Sequence, residues 1–159
     1  MKLTCAQMID FIKKLPALES VEESKDFFVS LIDRSVSVET LPEGLTSIGQ
    51  EAFAFCSNLA LTTLPEGLTS IGQEAFAFCS NLAITVFPEG ITTIGAYAFN
   101  KCTGITNLTF EGTPSEIGVY AFSNCTNLTT INVPWSEGEV AGAPWGATNA
   151  TINYNYTGE

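Results

Sequence analysis

The chain has no histidine, and beyond Asp33 it has no aspartate. The first absence removes Ser-His and Cys-His nucleophilic arrangements and most zinc sites. The second removes the D-x-D and D-x-N clusters of calcium loops, where several oxygens converge on one ion. Positive charge is scarce as well. Of six basic residues, Lys2, Lys13, Lys14, Lys25 and Arg34 come first and only Lys101 lies beyond them. With a formal net charge of −11, such a surface cannot neutralise phosphates, so nucleic acid and anionic membrane are poor partners. No apolar run approaches the roughly 18 residues of a membrane-spanning helix, which argues against membrane insertion. The N-terminal residues are interrupted by Asp10, Lys13 and Lys14, unlike the apolar core of an export signal.

What is present is rhythm. Ile71, Gly72, Ala75, Phe76 and Cys79 have earlier equivalents in Ile48, Gly49, Ala52, Phe53 and Cys56. The same constant step leads forward to Ile94, Gly95, Ala98, Phe99 and Cys102, then to Ile117, Gly118, Ala121, Phe122 and Cys125. Residues 41–60 return unchanged as 64–83. A fixed period of this size is the signature of a solenoid. An apolar content of 45% suits a continuous buried core.

Three regions follow. In residues 1–35, Thr4 with Gln7 and Ser20 with Glu23 read as helix-capping boxes, each followed by apolar residues at helical spacing. They predict an N-terminal helical cap covering the first coil. Residues 36–133 hold four regular copies. Residues 134–159 read as a degenerate last coil; one further step puts Val140 on the isoleucine position, Trp145 on the phenylalanine position and Thr148 on the cysteine position.

β-Branched and aromatic residues cluster before each coil's proline, in 36–41, 59–64, 82–87, 105–110 and 128–133, and again in 151–156. One strand per coil, always in one direction, predicts a parallel sheet of about six strands. The glycine after each isoleucine is expected to mark a bend with positive φ. Alanine and phenylalanine are expected to open a short helical or 3₁₀ turn on the outer side. Phe53, Phe76, Phe99, Phe122 and Trp145 then fill the interior. Cys56, Cys79, Cys102 and Cys125 form a row along the solenoid, not a tetrahedron about a point, so buried thiols are expected there and no metal. No cofactor is implied.

The pattern L-P-E-G-L-x-x-I-G-x-x-A-F-x-x-C-x-x-L, carried by residues 41–59 and 64–82, resembles the BspA-like leucine-rich repeat, a bacterial class with this same period. The resemblance implies an α/β repeat solenoid, a right-handed coil with a parallel sheet on one face. It also implies a surface-associated or extracellular binding protein and brings no catalytic residues. The missing export signal leaves a cytoplasmic or virion-associated location as the other expectation. The strand pattern L-x-x-L-x-L holds for Ile105, Leu108, Phe110 and for Leu128, Ile131, Val133. In the first two copies Thr62 and Thr85 stand where the middle leucine belongs, preceded by Leu61 and Ile84. Either those strands bulge, or threonine points inward and an aliphatic row reaches the surface.

Two surfaces are candidates for binding. On the sheet face, the position two before each strand's closing proline position recurs as Thr63, Val86, Thr109, Asn132 and Asn155, and two residues earlier stand Asn107, Thr130 and Asn153. Such short, uncharged hydrogen-bonding groups on a rigid ladder suit an extended polypeptide or a glycan. An acidic edge is formed by Glu43, Glu66 and Glu89. The expected function is a non-enzymatic binding or adhesion module for a protein or carbohydrate, with the monomer the favoured state. The other expectation is a structural or assembly component without a dedicated ligand.

Overall fold

A computed structural model describes residues 40–158. The helical cap expected over residues 1–35 lies outside the described residues. The repeats coil into a parallel-strand solenoid of about five turns. Its strands are β1 (Ser47–Ile48), β2 (Ser70–Ile71), β3 (Val86–Phe87), β4 (Thr93–Ile94), β5 (Asn107–Phe110), β6 (Glu116–Ile117), β7 (Thr130–Asn132) and β8 (Thr151–Asn153).

They form two sheets of four strands, β1-β2-β4-β6 and β3-β5-β7-β8, rather than one sheet of six. The sheet that the spacing did not predict runs through the Thr-Ser-Ile and Thr-Thr-Ile segments. Ser47 faces Ser70, which faces Thr93, which faces Glu116, each one period further along the chain. Hydroxyls reinforce this side. Thr69 Oγ1 donates to the Thr46 carbonyl at 3.0 Å, Thr92 Oγ1 to Thr69 at 2.9 Å and Ser115 Oγ to Thr92 at 2.9 Å.

The expected strand at 59–64 does not form a ladder. Leu61 and Leu64 are both buried while Thr62 and Thr63 between them are exposed. Two inward residues three apart cannot both obey a period of two, so the chain bows outward locally, as in a bulge. Ile84 and Phe87 repeat the arrangement around Thr85 and Val86. The aliphatic row therefore stays inside, and the bulge is the alternative the fold adopts.

On the outer side there is no helix among the described residues. The expected helical or 3₁₀ turns are replaced by turns that share their hydrogen bonds with the next coil. Ala52, Ala54 and Cys56 donate to Gly49, Glu51 and Phe53 in their own coil, whereas Glu51, Phe53 and Phe55 donate to Gln73, Ala75 and Ala77 of the following one. This alternation needs a left-handed residue at every fourth position. Glu51 and Phe55 (φ 55° and 64°), Glu74 and Phe78, Tyr97 and Lys101, and Tyr120 and Asn124 all adopt it. A helix cannot run through such residues.

The glycines after each isoleucine do not have positive φ. Their role is close approach: a Cβ on Gly72 would lie 2.6 Å from the Gln50 amide nitrogen and 2.7 Å from the Gly49 carbonyl carbon.

Inside, the repeat becomes a column. Phe53, Phe76, Phe99 and Phe122 are fully buried, with successive ring centroids 5.2, 5.3 and 5.5 Å apart. Phe87 stacks on Phe110 at 4.5 Å and meets Phe99 and Phe122 edge-on, tying the strand side to the turn side. Trp135 and Trp145 continue this cluster into the last coil.

That last coil is shorter than the regular period implies. Thr130 faces Thr151, Ile131 faces Ile152 and Asn132 faces Asn153, a step of 21. On the outer side Ala147, not Thr148, takes the buried position after Cys125, and Trp145 is buried although Phe122 donates to its carbonyl one residue out of step. Proline, glycine and tryptophan in 142–146 give a tighter path than Ala-Phe-x-x-Cys does.

Candidate functional site

The sheet face is built by β3, β5, β7 and β8, whose alternation turns one set of side chains outward. Val86, Thr109, Asn132 and Asn153 form one register row, and Asn107 and Thr130 form another with Thr151. Asn153 therefore belongs beside Asn132, not beside Thr130. Asn155 lies beyond the sheet in a turn, with φ 57°, and accepts from Ser136 Oγ at 3.1 Å. Thr63 is exposed on the bulge, outside the strands.

Within the first row the side chains hold one another. Asn153 Nδ2 donates to Asn132 Oδ1 at 2.8 Å, and Asn132 Nδ2 donates to Thr109 Oγ1 at 3.2 Å. At Asn107 the side-chain oxygen accepts from Thr106 Oγ1 at 3.2 Å. The face is thus uncharged and already ordered. Val86, 39% exposed, is its one large apolar group.

Glu43, Glu66 and Glu89 sit in the Pro-Glu-Gly turns, exposed, at the same place in three successive coils. These turns close through amides of Leu45, Leu68 and Ile91 donating to Pro42, Pro65 and Pro88. In the fourth coil Glu111 replaces proline, its amide bonds to the Phe87 carbonyl, and the chain bends instead. The acidic edge therefore ends at Glu89.

The four cysteines stand in a buried row. The Cys79, Cys102 and Cys125 thiols donate to the carbonyls of Phe53, Phe76 and Phe99 in the coil before, at 3.0, 3.0 and 3.1 Å. Burial pushes Cys79 and Cys125 up to about 12, and Cys102 well above the ordinary thiol range. A buried thiol held in its protonated form is a poor nucleophile. No cluster of three or more potential metal-ligating side chains occurs among the described residues.

The most exposed aromatics were not among the residues singled out from sequence. They occupy the left-handed positions of the outer turns. Phe55 and Phe78 stack at 4.5 Å, and Lys101 Nζ lies 4.7 Å from the Phe78 ring centroid. One column over, Tyr97 and Tyr120 stack at 5.4 Å and are 37% and 54% exposed. The sequence carries the signal: stepping by one period, one column reads Glu51, Glu74, Tyr97, Tyr120 and the other Phe55, Phe78, Lys101, Asn124. Columns that change chemistry midway along the array differ from those that keep a core residue.

A parallel solenoid with a stacked phenylalanine column, a thiol row and an outward strand ladder defines the leucine-rich-repeat class. The family model of the BspA type leucine rich repeat region matches residues 31–141 in six copies, and the chain belongs to that family. Among solved structures it is similar to a leucine-rich repeat protein from Bacteroides ovatus ATCC 8483, at 23% identity and a TM-score of 0.60. That match covers 76% of this chain and 35% of the other, and it bears on the fold alone. It is also similar to the leucine rich repeat protein of T. pallidum, at 26% identity and a TM-score of 0.53, covering 77% of this chain and 53% of that one. The chain thus spans between a third and about half of the length of these structural relatives. No curated protein matches it.

Proposed function

We propose that the chain is a non-enzymatic adhesion module that binds a partner protein along the outward face of β3-β5-β7-β8. Leucine-rich-repeat proteins are generally protein-interaction modules. The observation that carries the reading here is the side-chain chain Asn153–Asn132–Thr109, which fixes three outward groups before any partner arrives. Groups already ordered lose little conformational freedom on binding, so their hydrogen bonds contribute more of their strength. Asn107, Thr130 and Val86 extend the same face, and the Glu43, Glu66 and Glu89 edge favours a basic flank on the partner.

The test is a comparison of variants in affinity capture from surface extracts. A double substitution, Thr109→Arg with Asn132→Arg, places bulk and charge on the face. A protein retained by the parent and by a Glu51→Gln control, but lost from the folded double variant, supports the reading. Equal retention by all three, or none by the parent, overturns it.

A further inference from the structure

The solenoid carries a recess on the outer side, away from the sheet face. A cleft of about 440 Å³ is lined by Tyr97, Tyr120, Ser123, Asn124, Cys125, Thr126, Gly146, Thr148 and Asn149. It exists because the last coil breaks the repeat. The left-handed column Phe55, Phe78, Lys101, Asn124 is followed in the last coil by Gly146, which has φ +85° and no side chain. A Cβ there would also lie 3.0 Å from Ser123 Cβ. The recess next to Tyr120 is therefore left open by the backbone itself.

We propose that this cleft is a binding site for a neutral oligosaccharide. No lining residue carries charge, so an ionic ligand finds no counter-charge in it. Tyr120 offers an aromatic face beside polar groups, the combination that receives the C–H face of a sugar ring while its hydroxyls find partners. Those partners are present. Asn124 is held by Nδ2 donating to Asn100 Oδ1 at 3.1 Å, and Asn149 by Nδ2 donating to the Thr126 carbonyl at 3.4 Å. In this arrangement the Oδ1 of each, with the Thr126 and Thr148 hydroxyls, has no protein donor among the described residues. Among the lining residues, the amides of Ser123, Cys125 and Thr148 are already bonded to Tyr120, Phe122 and Gly146. Side-chain hydroxyls and amides are what a sugar reads.

The site is independent of the sheet face, so failure of one leaves the other standing. The test is a nuclear magnetic resonance titration of the full chain with cellohexaose, xylohexaose, maltohexaose and chitohexaose, each alone, and with a proline-rich decapeptide. At least one saccharide should shift the side-chain amide signals of Asn124 and Asn149. Tyr120→Ala should weaken that binding about tenfold, the loss of one aromatic contact, while Tyr120→Phe keeps most of it. Asn149→Arg, an exposed change that fills the cleft, should abolish binding even if Tyr120→Ala fails to fold, and Asn132→Arg on the sheet should leave it unchanged. No shift with any saccharide overturns the proposal. So do shifts with the decapeptide only, or saccharide binding that survives Asn149→Arg in a folded chain.

Discussion

Every coil rests on its neighbour through atoms that cannot move aside, and single residues therefore matter most where backbone meets backbone. A methyl group at Gly72 would strike the Gln50 amide and the Gly49 carbonyl, which are main-chain atoms and not the end of a flexible side chain. Gly72→Ala should cost about 2–3 kcal/mol, the scale of overpacking that cannot relax. Gly44→Ala has nothing within 4 Å of the added carbon and should stay within about 0.5 kcal/mol. Urea denaturation of the two variants checks this, and equal costs would refute it. The importance of these glycines was legible from the period alone, but its cause was not. Recurrence marks a position where a side chain is forbidden; it does not say whether a dihedral angle or a neighbouring backbone forbids it.

The thiols make a prediction of a different kind. Cys79 and Cys125 are pushed up to about 12 by burial in the folded chain, while an unfolded thiol ionises near 9. Below pH 9 both states hold the proton and the contribution is complete. Between pH 9 and 12 the unfolded state binds fewer protons, so stability falls as pH rises. The loss per thiol approaches about 1.4 kcal/mol for each pH unit in that window. Cys79→Ala removes one such group. The decline in stability from pH 9 to 11 should be correspondingly shallower in that variant than in the parent. Parallel declines would show that the thiol does not differ between states.

At the scale of elements, the outer turns and the two sheets divide the work. Each of the four regular turns contains two left-handed residues, and none of these eight is glycine. An L-residue there costs roughly 1–2 kcal/mol. Glu51, exposed at φ 55°, has no packing role that would offset this. Glu51→Gly should raise stability by up to about 1 kcal/mol by relieving the conformation. A thermal melt that moves downward would contradict it. The aromatic column behaves oppositely. Phe87 meets three rings whereas Phe53 stacks on one, Phe76. Truncation of either to Ala should cost about 3–5 kcal/mol, with Phe87→Ala at the upper end because each aromatic pair adds about 0.5–1.5. Denaturant midpoints that rank Phe53→Ala as the costlier change would overturn the assignment of Phe87 as the tie between the two sides. Clusters of β-branched and aromatic residues exposed β3, β5, β7 and β8, and alternation shows in Leu108 with Phe110 and in Ile131 with Val133, each pair two apart. It concealed β1, β2, β4 and β6, whose two-residue length is too short for any period to show.

At the scale of the molecule, the array is one-dimensional, and each coil touches only the coils before and after it. The residues that repeat most strictly are those a neighbour covers, so period revealed the core column and the thiol row. The surfaces proposed for binding were less legible for the same reason. Tyr97, Tyr120 and Gly146 matter through their departure from the period, and a shortened coil of step 21 at β8 shifts Asn153 to a place that the regular period assigns to Asn155. The one-dimensional picture has a direct consequence. Residues 41–60 and 64–83 are identical, so excising residues 64–86 joins Thr63 to Phe87 and leaves every remaining coil on an equivalent neighbour. That deletion should fold, keep the parent's circular dichroism shape, and unfold cooperatively with a denaturant slope lower by about one fifth, because slope follows the surface exposed. Excising only residues 64–75 removes half a turn, sets Phe76 against a strand and leaves the ladder bonds of Phe53 and Phe55 unmade. It should give an aggregating chain without a cooperative transition. If both deletions fold equally well, the coils are not stacked in the register that places every phenylalanine and every thiol.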